Sequence, residues 1–402
     1  MTAPMRPAVA AVSERRIAIV GAAMVALGPV SLALYTPAMP EIARAFGTSH
    51  AAVHMTLTAF FGGFAVAQLV CGPLSDAFGR KPVGLAFLAV YVVASIGAAL
   101  APTIDILVVT RLFQGIGAAA GIALSRAMVR DLFTGQTSAR IMNLIGIMLA
   151  VGPAASPALG GLALHYFGWH AIFLVMLAYG AALIVVLKTA IPETLAERNP
   201  DGLKPGQFFG NYRRLVVDPA FLRPSLLIGL TVGGLYALAL MMPFVMIERL
   251  GLSPPAYGFL MLGQTGCYAL GGIVAQRAMR HMPAQRLVPV GLAVVVLAGA
   301  LLAVAVRVLP LGVPVVMLPV MLWAFGIALI IPASQTAALA KFPQIAGSAS
   351  ALMGFIQMSA GFLAGLAAAR FADQTEAIAT VLPAMAFLAL AVSIAIGRRT
   401  AA

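Results

Sequence analysis

The chain has 402 residues, of which 62% are hydrophobic and only 9% charged. A water-soluble domain carries roughly 25% charged residues, so this composition excludes a soluble globular protein and makes lipid the solvent for most of the chain. The formal net charge of +13 comes from basic residues placed between apolar runs and not along one polar face, which speaks for membrane topology and against a nucleic-acid surface.

Apolar runs of spanning length occur at 17–36, 52–72, 83–101, 106–127, 141–163, 169–187, 224–247, 257–276, 287–306, 311–334, 346–368 and 377–396. At roughly 20 residues per crossing, they predict an all-α integral membrane protein with twelve transmembrane helices and no separate soluble domain. The runs are continuous and do not alternate, which favours helices over barrel strands. The first run is too long for the apolar part of a secretory signal and no small-residue cleavage site follows it, so it reads as the first helix. The longest polar stretch, Lys188 to Arg223, separates six runs from six. That division predicts an amino-terminal bundle over 1–188, a linker over 189–223 and a carboxy-terminal bundle over 224–402.

With the amino terminus in the cytoplasm, 20 of the 25 Lys and Arg residues fall in cytoplasmic segments. Arg44, Arg249, Arg307 and Arg370 fall outside, and Arg111 lies within a helix. The positive-inside rule then places both termini in the cytoplasm.

Several local patterns carry functional expectations. Helix one ends Tyr35-Thr-Pro-Ala-Met-Pro-Glu41, where two prolines predict a fixed bend and Tyr35 is a cavity wall or an interfacial belt residue. The segment Gly72-Pro-Leu-Ser-Asp-Ala-Phe-Gly-Arg-Lys-Pro82 ends the second run in a tight loop. There Gly72 permits close helix contact and Gly79 allows a turn with positive φ. Arg80 and Lys81 supply charge, and Asp76 either caps a neighbouring helix or pairs with Arg80.

Arg111 lies about 5–6 residues inside its run, roughly 8 Å along a helix axis. A buried arginine costs at least about 2.5–3.5 kcal/mol on insertion scales. It is expected to face the interior with Gln114 beside it on the same face; the alternative is snorkelling to the headgroups. In the fifth run, Gly152, Ser156 and Gly160 form one smooth face, while Pro153 and Pro157 favour bending. Similar small rows occur at Gly117, Gly121 and Ser125, and at Gly354, Gly361 and Gly365. Cys71 and Cys267 read as packing residues, and no metal site or cofactor is expected. His50 and His54 read as solvated surface histidines. No phosphate-cradling Gly-rich loop with Lys occurs, so ATP hydrolysis is not the expected energy source.

These segments resemble a family. Gly72–Pro82 is similar to the helix 2–3 signature of the major facilitator superfamily, and Arg111-Leu-Phe-Gln-Gly-Ile-Gly117 to its fourth-helix signature. The Gly152-Pro153 and Gly160-Gly161 run resembles the antiporter signature of its exporters. A narrower resemblance, to the bicyclomycin/chloramphenicol-resistance group of drug:proton antiporters, rests on Tyr35–Ala43, Arg126–Asp131, Pro243–Glu248 with Leu250–Pro254, and Gly347–Gly354. It implies a polyspecific exporter of small amphipathic compounds driven by inward proton flow. Gly72, Asp76, Gly79, Arg80 and Lys81 would form the gate. Arg111 and Gln114 would be a polar relay, and Gly152, Pro153, Gly160 and Gly161 the antiport hinge. Members of this group usually carry an acid two residues before the tyrosine; here that position is Ala33. With no acid at mid-depth in any run, Asp76 and Glu248 are the candidate proton carriers.

The expected cavity lies between the halves, lined by Tyr35, Arg111, Tyr236, Phe244, Tyr268 and Gln357, with methionines concentrated in the carboxy-terminal half. The expected partners are a small amphipathic substrate, protons and the lipid bilayer, but no nucleic acid, and the chain is expected to act as a monomer in a bacterial inner membrane. The alternative is an exporter of a specific metabolite such as a sugar, amino acid or siderophore, with or without proton coupling. An enzyme is not expected, because no cluster of catalytic residues stands at working spacing.

Overall fold

The computed structural model describes residues 13–133, 135–199 and 204–401, apart from the side chains of residues 139, 143, 144, 146–151, 153 and 397–401. Within them the chain is helical throughout. Before the linker come α1 (Glu14–Tyr35), α2 (Met39–Ala45), α3 (His50–Phe78), α4 (Arg80–Ala99), α5 (Ile104–Leu132), α6 (Gly135–Phe167) and α7 (Trp169–Ala190). The linker contains α8 (Pro205–Val217). After it come α9 (Pro219–Pro243), α10 (Pro254–Ala278), α11 (Leu287–Val308), α12 (Val313–Ala340), α13 (Ala346–Ala368) and α14 (Gln374–Ala401).

Among the described residues, eleven helical stretches are long and apolar enough to cross a membrane. The helix α6, at 33 residues the longest among the described residues, contains most of the undescribed side chains and stands outside that number. Starts are set by polar caps: Ser13, Ser49, Thr103 and Ser253 each accept a hydrogen bond from a first-turn N–H, and Asp218 does so from Ala220 N. Gly79, at φ 109°, lets α3 turn directly into α4.

At two places the structure adds detail to the sequence reading. At the prolines after Tyr35, a single 3-10 turn, Thr36–Ala38, carries α1 into α2. Pro37 and Pro40 each fall in the first turn of their helix, where a missing N–H costs nothing. The second concerns the linker, which contains the thirteen-residue helix α8 where the sequence suggested only a polar stretch.

Packing runs along small-residue seams. Helix α3 lies on α5, α5 on α4 and α1, α1 on α6, and α4 on α7. After the linker, α9 lies on α13, α14 and α12, with α11 on α12 and α14 and α10 on α12. The two groups meet through α3 with α13 and α6 with α10. A Cβ on Gly121 would overlap Met24 O of α1, and one on Gly160 would overlap Leu34 O. One on Gly161 would overlap Pro254 O, and one on Gly258 would overlap Pro157 O. In lipid, where helices gain nothing by leaving an apolar solvent, such backbone-to-backbone approach supplies the packing energy. The smooth face expected on α6 exists, and Gly152 and Gly160 turn it onto α1; Gly161 faces α10. The row on α5 serves two partners, since Gly117 meets α4 at Phe87 and Tyr91 while Gly121 meets α1.

Candidate functional site

The first cluster centres on Arg111 of α5, which is fully buried, so the snorkelling alternative is set aside. Its guanidinium carbon lies 4.5 Å from the ring centroids of both Tyr35 (α1) and Phe60 (α3). Nη1 donates to Gln114 Oε1, one turn along α5, and lies 4.0 Å from Met176 Sδ. Gln114 Nε2 donates to Ser95 Oγ at 2.7 Å, and Ser95 Oγ donates to Tyr91 O at 2.7 Å. Tyr91 Oη shares a 2.6 Å hydrogen bond with Ser31 Oγ, and Tyr35 Oη shares one of 2.6 Å with Thr56 Oγ1. The described contacts of Arg111 include no carboxylate, and its Nε and Nη2 are buried without a hydrogen-bond partner. Two aromatic faces and one amide therefore stabilise the charge, each desolvated cation–π contact contributing up to about 2 kcal/mol or more. The site holds a fully buried positive charge with no carboxylate among its described contacts.

The second cluster lies at the linker-side end of the helices. Arg80 donates from Nε to Asp131 Oδ2 at 2.9 Å and from Nη1 to Ser75 Oγ at 2.7 Å, and it also pairs with Asp76. Asp76 thus takes the pairing role expected of it, while its backbone carbonyl accepts from Asn199 N at 2.8 Å. Capping of α4 falls instead to Glu193, whose carboxylate accepts from Arg80 N at 3.0 Å and Lys81 N at 3.1 Å. The Lys81 ammonium donates to the carbonyls of Lys188 and Ile191 at the end of α7, at 2.7 and 2.8 Å. Thr194 Oγ1 donates to Asp131 Oδ2 at 3.3 Å. Gly72 does not mediate a close helix contact; a Cβ there would meet nothing within 4 Å.

At the opposite end, His50 Nε2 of α3 lies 2.9 Å from Glu248 Oε2, in the π-helical turn Phe244–Arg249 that extends α9. The Phe244 ring stands 4.3 Å from that of His50 and 5.2 Å from that of His54. The reading of these histidines as solvated is corrected for His54, which is fully buried; His50 is only half-buried and lies against Glu248. Glu41 Oε1 accepts from Trp169 N at 3.3 Å at the start of α7.

Of the expected cavity residues, Tyr35, Arg111 and Phe244 are packed in the interior, and Tyr236, Tyr268 and Gln357 are half-buried. Tyr236 stacks obliquely on Phe61 of α3 at 5.1 Å and packs over Gly361. The side chain of Pro153 lies outside the described residues. Trp323 Nε1 donates to Thr231 O at 3.1 Å, and Asp131 and Glu193 were not singled out for this machinery in the sequence. The only available signal was that Asp131 follows Arg126 and Arg130 at the end of an apolar run.

A family model described as Major Facilitator Superfamily matches residues 13–365. The chain belongs to the major facilitator superfamily. It is a multi-pass membrane transporter, not an enzyme. Similar proteins include the "Uncharacterized MFS-type transporter YdgK" of Bacillus subtilis (strain 168), 31% identical over 83% of this chain and 84% of its own. The "Chloramphenicol resistance protein" of Pseudomonas aeruginosa is 30% identical, covering 81% and 77%. The "Bicyclomycin resistance protein homolog" of Haemophilus influenzae (strain ATCC 51907 / DSM 11121 / KW20 / Rd) is 27% identical, covering 87% and 88%. In fold, the chain matches the crystal structure of a bacterial homolog of the human lysosomal transporter Spinster, in an inward-facing and unoccupied conformation. That match has a TM-score of 0.71 at 16% identity, over 95% of each chain.

Proposed function

We propose that this transporter exports small amphipathic, drug-like compounds from the cytoplasm by alternating access coupled to proton antiport. In this reading α6 is the twelfth span, and residues 1–188 and 224–402 are two six-helix bundles joined by the 189–223 linker. Both termini and the linker are cytoplasmic, and the protein works as a monomer in a bacterial inner membrane. The resistance names of relatives that align with most of the chain support the substrate class. The α3–α13 and α6–α10 seams are then the surfaces that rock.

The observation that carries the reading furthest is Arg111, a buried cation between Tyr35 and Phe60 with no carboxylate beside it. Such an interior disfavours strongly cationic cargo and favours neutral or anionic amphipaths. Ala33 leaves proton exchange to acids near the ends: Glu248, held by His50, and Asp76, held by Arg80. Tyr236, Tyr268 and Gln357 are the half-buried groups that meet substrate on the carboxy-terminal side. Gly72, Asp76, Gly79, Arg80 and Lys81 form the gate at the α3–α4 turn, and Gly152, Pro153, Gly160 and Gly161 form the hinge.

The test is transport by the purified protein in proteoliposomes under an imposed proton gradient, with chloramphenicol-like and neutral amphipathic compounds. Substrate-dependent proton movement, lost in Glu248→Gln or Asp76→Asn, is expected. Substrate flux without proton movement would remove the coupling and keep the exporter. Absence of flux for every drug-like compound would overturn the substrate class.

A further inference from the structure

Helix α8 reads Pro205-Gly-Gln-Phe-Phe-Gly-Asn-Tyr-Arg-Arg-Leu-Val-Val217, and its faces have separate tasks. One face holds it to the bundle. Leu215 is buried with Phe221, Phe342, Leu352 and Met353. Tyr212 Oη donates to Leu69 O of α3 at 2.7 Å. Leu69 lies four residues before Pro73, which has no N–H, so α3 leaves that carbonyl without its helical donor. The tyrosine of the linker supplies the missing hydrogen bond, so α8 is docked at a defined place on α3.

The next face has no protein cover among the described residues. Phe209, Val216 and Val217 are 68%, 47% and 70% exposed. With Arg213 they stand at i, i+4, i+7 and i+8, a single stripe along the helix. Arg213 and Arg214 are exposed as well. The helix ends at Asp218, which caps α9, and α9 begins a membrane-spanning stretch at Pro219. The stripe therefore adjoins the start of a membrane-spanning stretch. Exposed apolar residues in one stripe that also carries Arg213, with Arg214 at its flank, next to the start of a span, are the pattern of a helix lying in the membrane interface, its long arginine stems reaching to the headgroups.

We infer that α8 is a lipid-binding element, with Phe209, Val216 and Val217 seated among the acyl chains of the adjoining leaflet and Arg213 and Arg214 on the phosphates of anionic phospholipid. The inference is independent of the substrate and of proton coupling. Each arginine near an anionic surface is expected to raise local anionic-lipid occupancy about fivefold at low ionic strength, and salt screens the effect.

The experiment uses the full-length protein carrying Phe209→Trp in nanodiscs, with the signal of the native Trp169 and Trp323 subtracted using the parent protein. Brominated lipid is expected to quench the added tryptophan, and aqueous iodide to leave it bright. At equal mole fraction, brominated phosphatidylglycerol is expected to quench several-fold more than brominated phosphatidylcholine at low salt. Adding Arg213→Ala with Arg214→Ala, both exposed sites, is expected to remove that excess and keep the quenching by brominated phosphatidylcholine. Quenching by iodide and by neither lipid would put the stripe in water or under a soluble partner and overturn the inference. Equal quenching by the two lipids would overturn its anionic part.

Discussion

In the helices before the linker, the interior is a run of polar contacts: Ser31 to Tyr91, Ser95 to Gln114, Gln114 to Arg111, and Tyr35 to Thr56. The helices after it enclose Trp323, and its Nε1 hydrogen bond to Thr231 O is their one buried side-chain link between two helices among those described. Gly234 and Gly299 lie against its ring, and Met241, Met242, Met246, Met317 and Met358 are buried in the same set of helices. A hydrogen-bonded network around a desolvated charge fixes one arrangement, because every partner that moves leaves an unpaired polar group. A Met-rich apolar interior repacks at low cost. The contrast assigns rigidity and charge to the first set of helices and adaptability to the second.

The largest effect is expected at Arg111. Arg111→Ala should lower the transport rate at least ~10-fold while the protein still elutes as a single folded species, and Arg111→Lys should not restore it. A compact ammonium cannot lie flat between the Tyr35 and Phe60 rings as the guanidinium does. Near-normal transport by the lysine variant would show that charge alone suffices.

Next comes the linker-side cluster. Asp131→Asn is expected to cost about 3 kcal/mol in unfolding, because it leaves Arg80, 8% exposed in its side chain, without its better-enclosed partner. Asp76→Asn should cost less than about 1 kcal/mol, since that carboxylate is 46% exposed. Thermal unfolding of the two variants in one detergent ranks them, and the reverse order would sink this account of the cluster.

Trp323→Phe should cost about 1 kcal/mol for the lost hydrogen bond and leave transport near the parent level. A loss as deep as that of Arg111→Ala would erase the distinction between the two interiors.

The smallest effect is a pH dependence. The hydrogen bond from Lys341 holds the Asp218 carboxyl below its ordinary range, burial opposes this, and the N–H of Ala220 adds to the lowering. A depressed carboxylate contributes stability that is full above its unfolded pKa, about 3.9. That contribution is lost as pH falls through the lower folded value. Stability from this link should thus be flat from neutral pH to the unfolded pKa and decline below it, and Asp218→Asn should flatten that acid limb.

Much of this molecule was legible in the sequence. Lipid leaves a chain few ways to satisfy its backbone, so apolar runs of spanning length become helices. A lone arginine inside such a run had to find a polar or aromatic setting, which placed Arg111 and Gln114 correctly. The turn at Gly79 and the smooth face of α6 were legible for similar local reasons.

The tertiary structure decided who meets whom. Glu193 caps a helix that begins 113 residues earlier, and hydropathy, which scores each residue against a solvent, holds no record of such a pairing. His54 stands near a helix end and looked wet, but the face it occupies turns it toward Phe244. Gly72 looked like a contact residue and faces open space. Linker helix α8 takes its place from a carbonyl freed by Pro73 in another helix. Composition and spacing thus set the elements and their solvent, because those follow from transfer free energies of local segments. Only packing fixed the partners, because a side chain's neighbours depend on the rotation and register of helices that are distant in the chain.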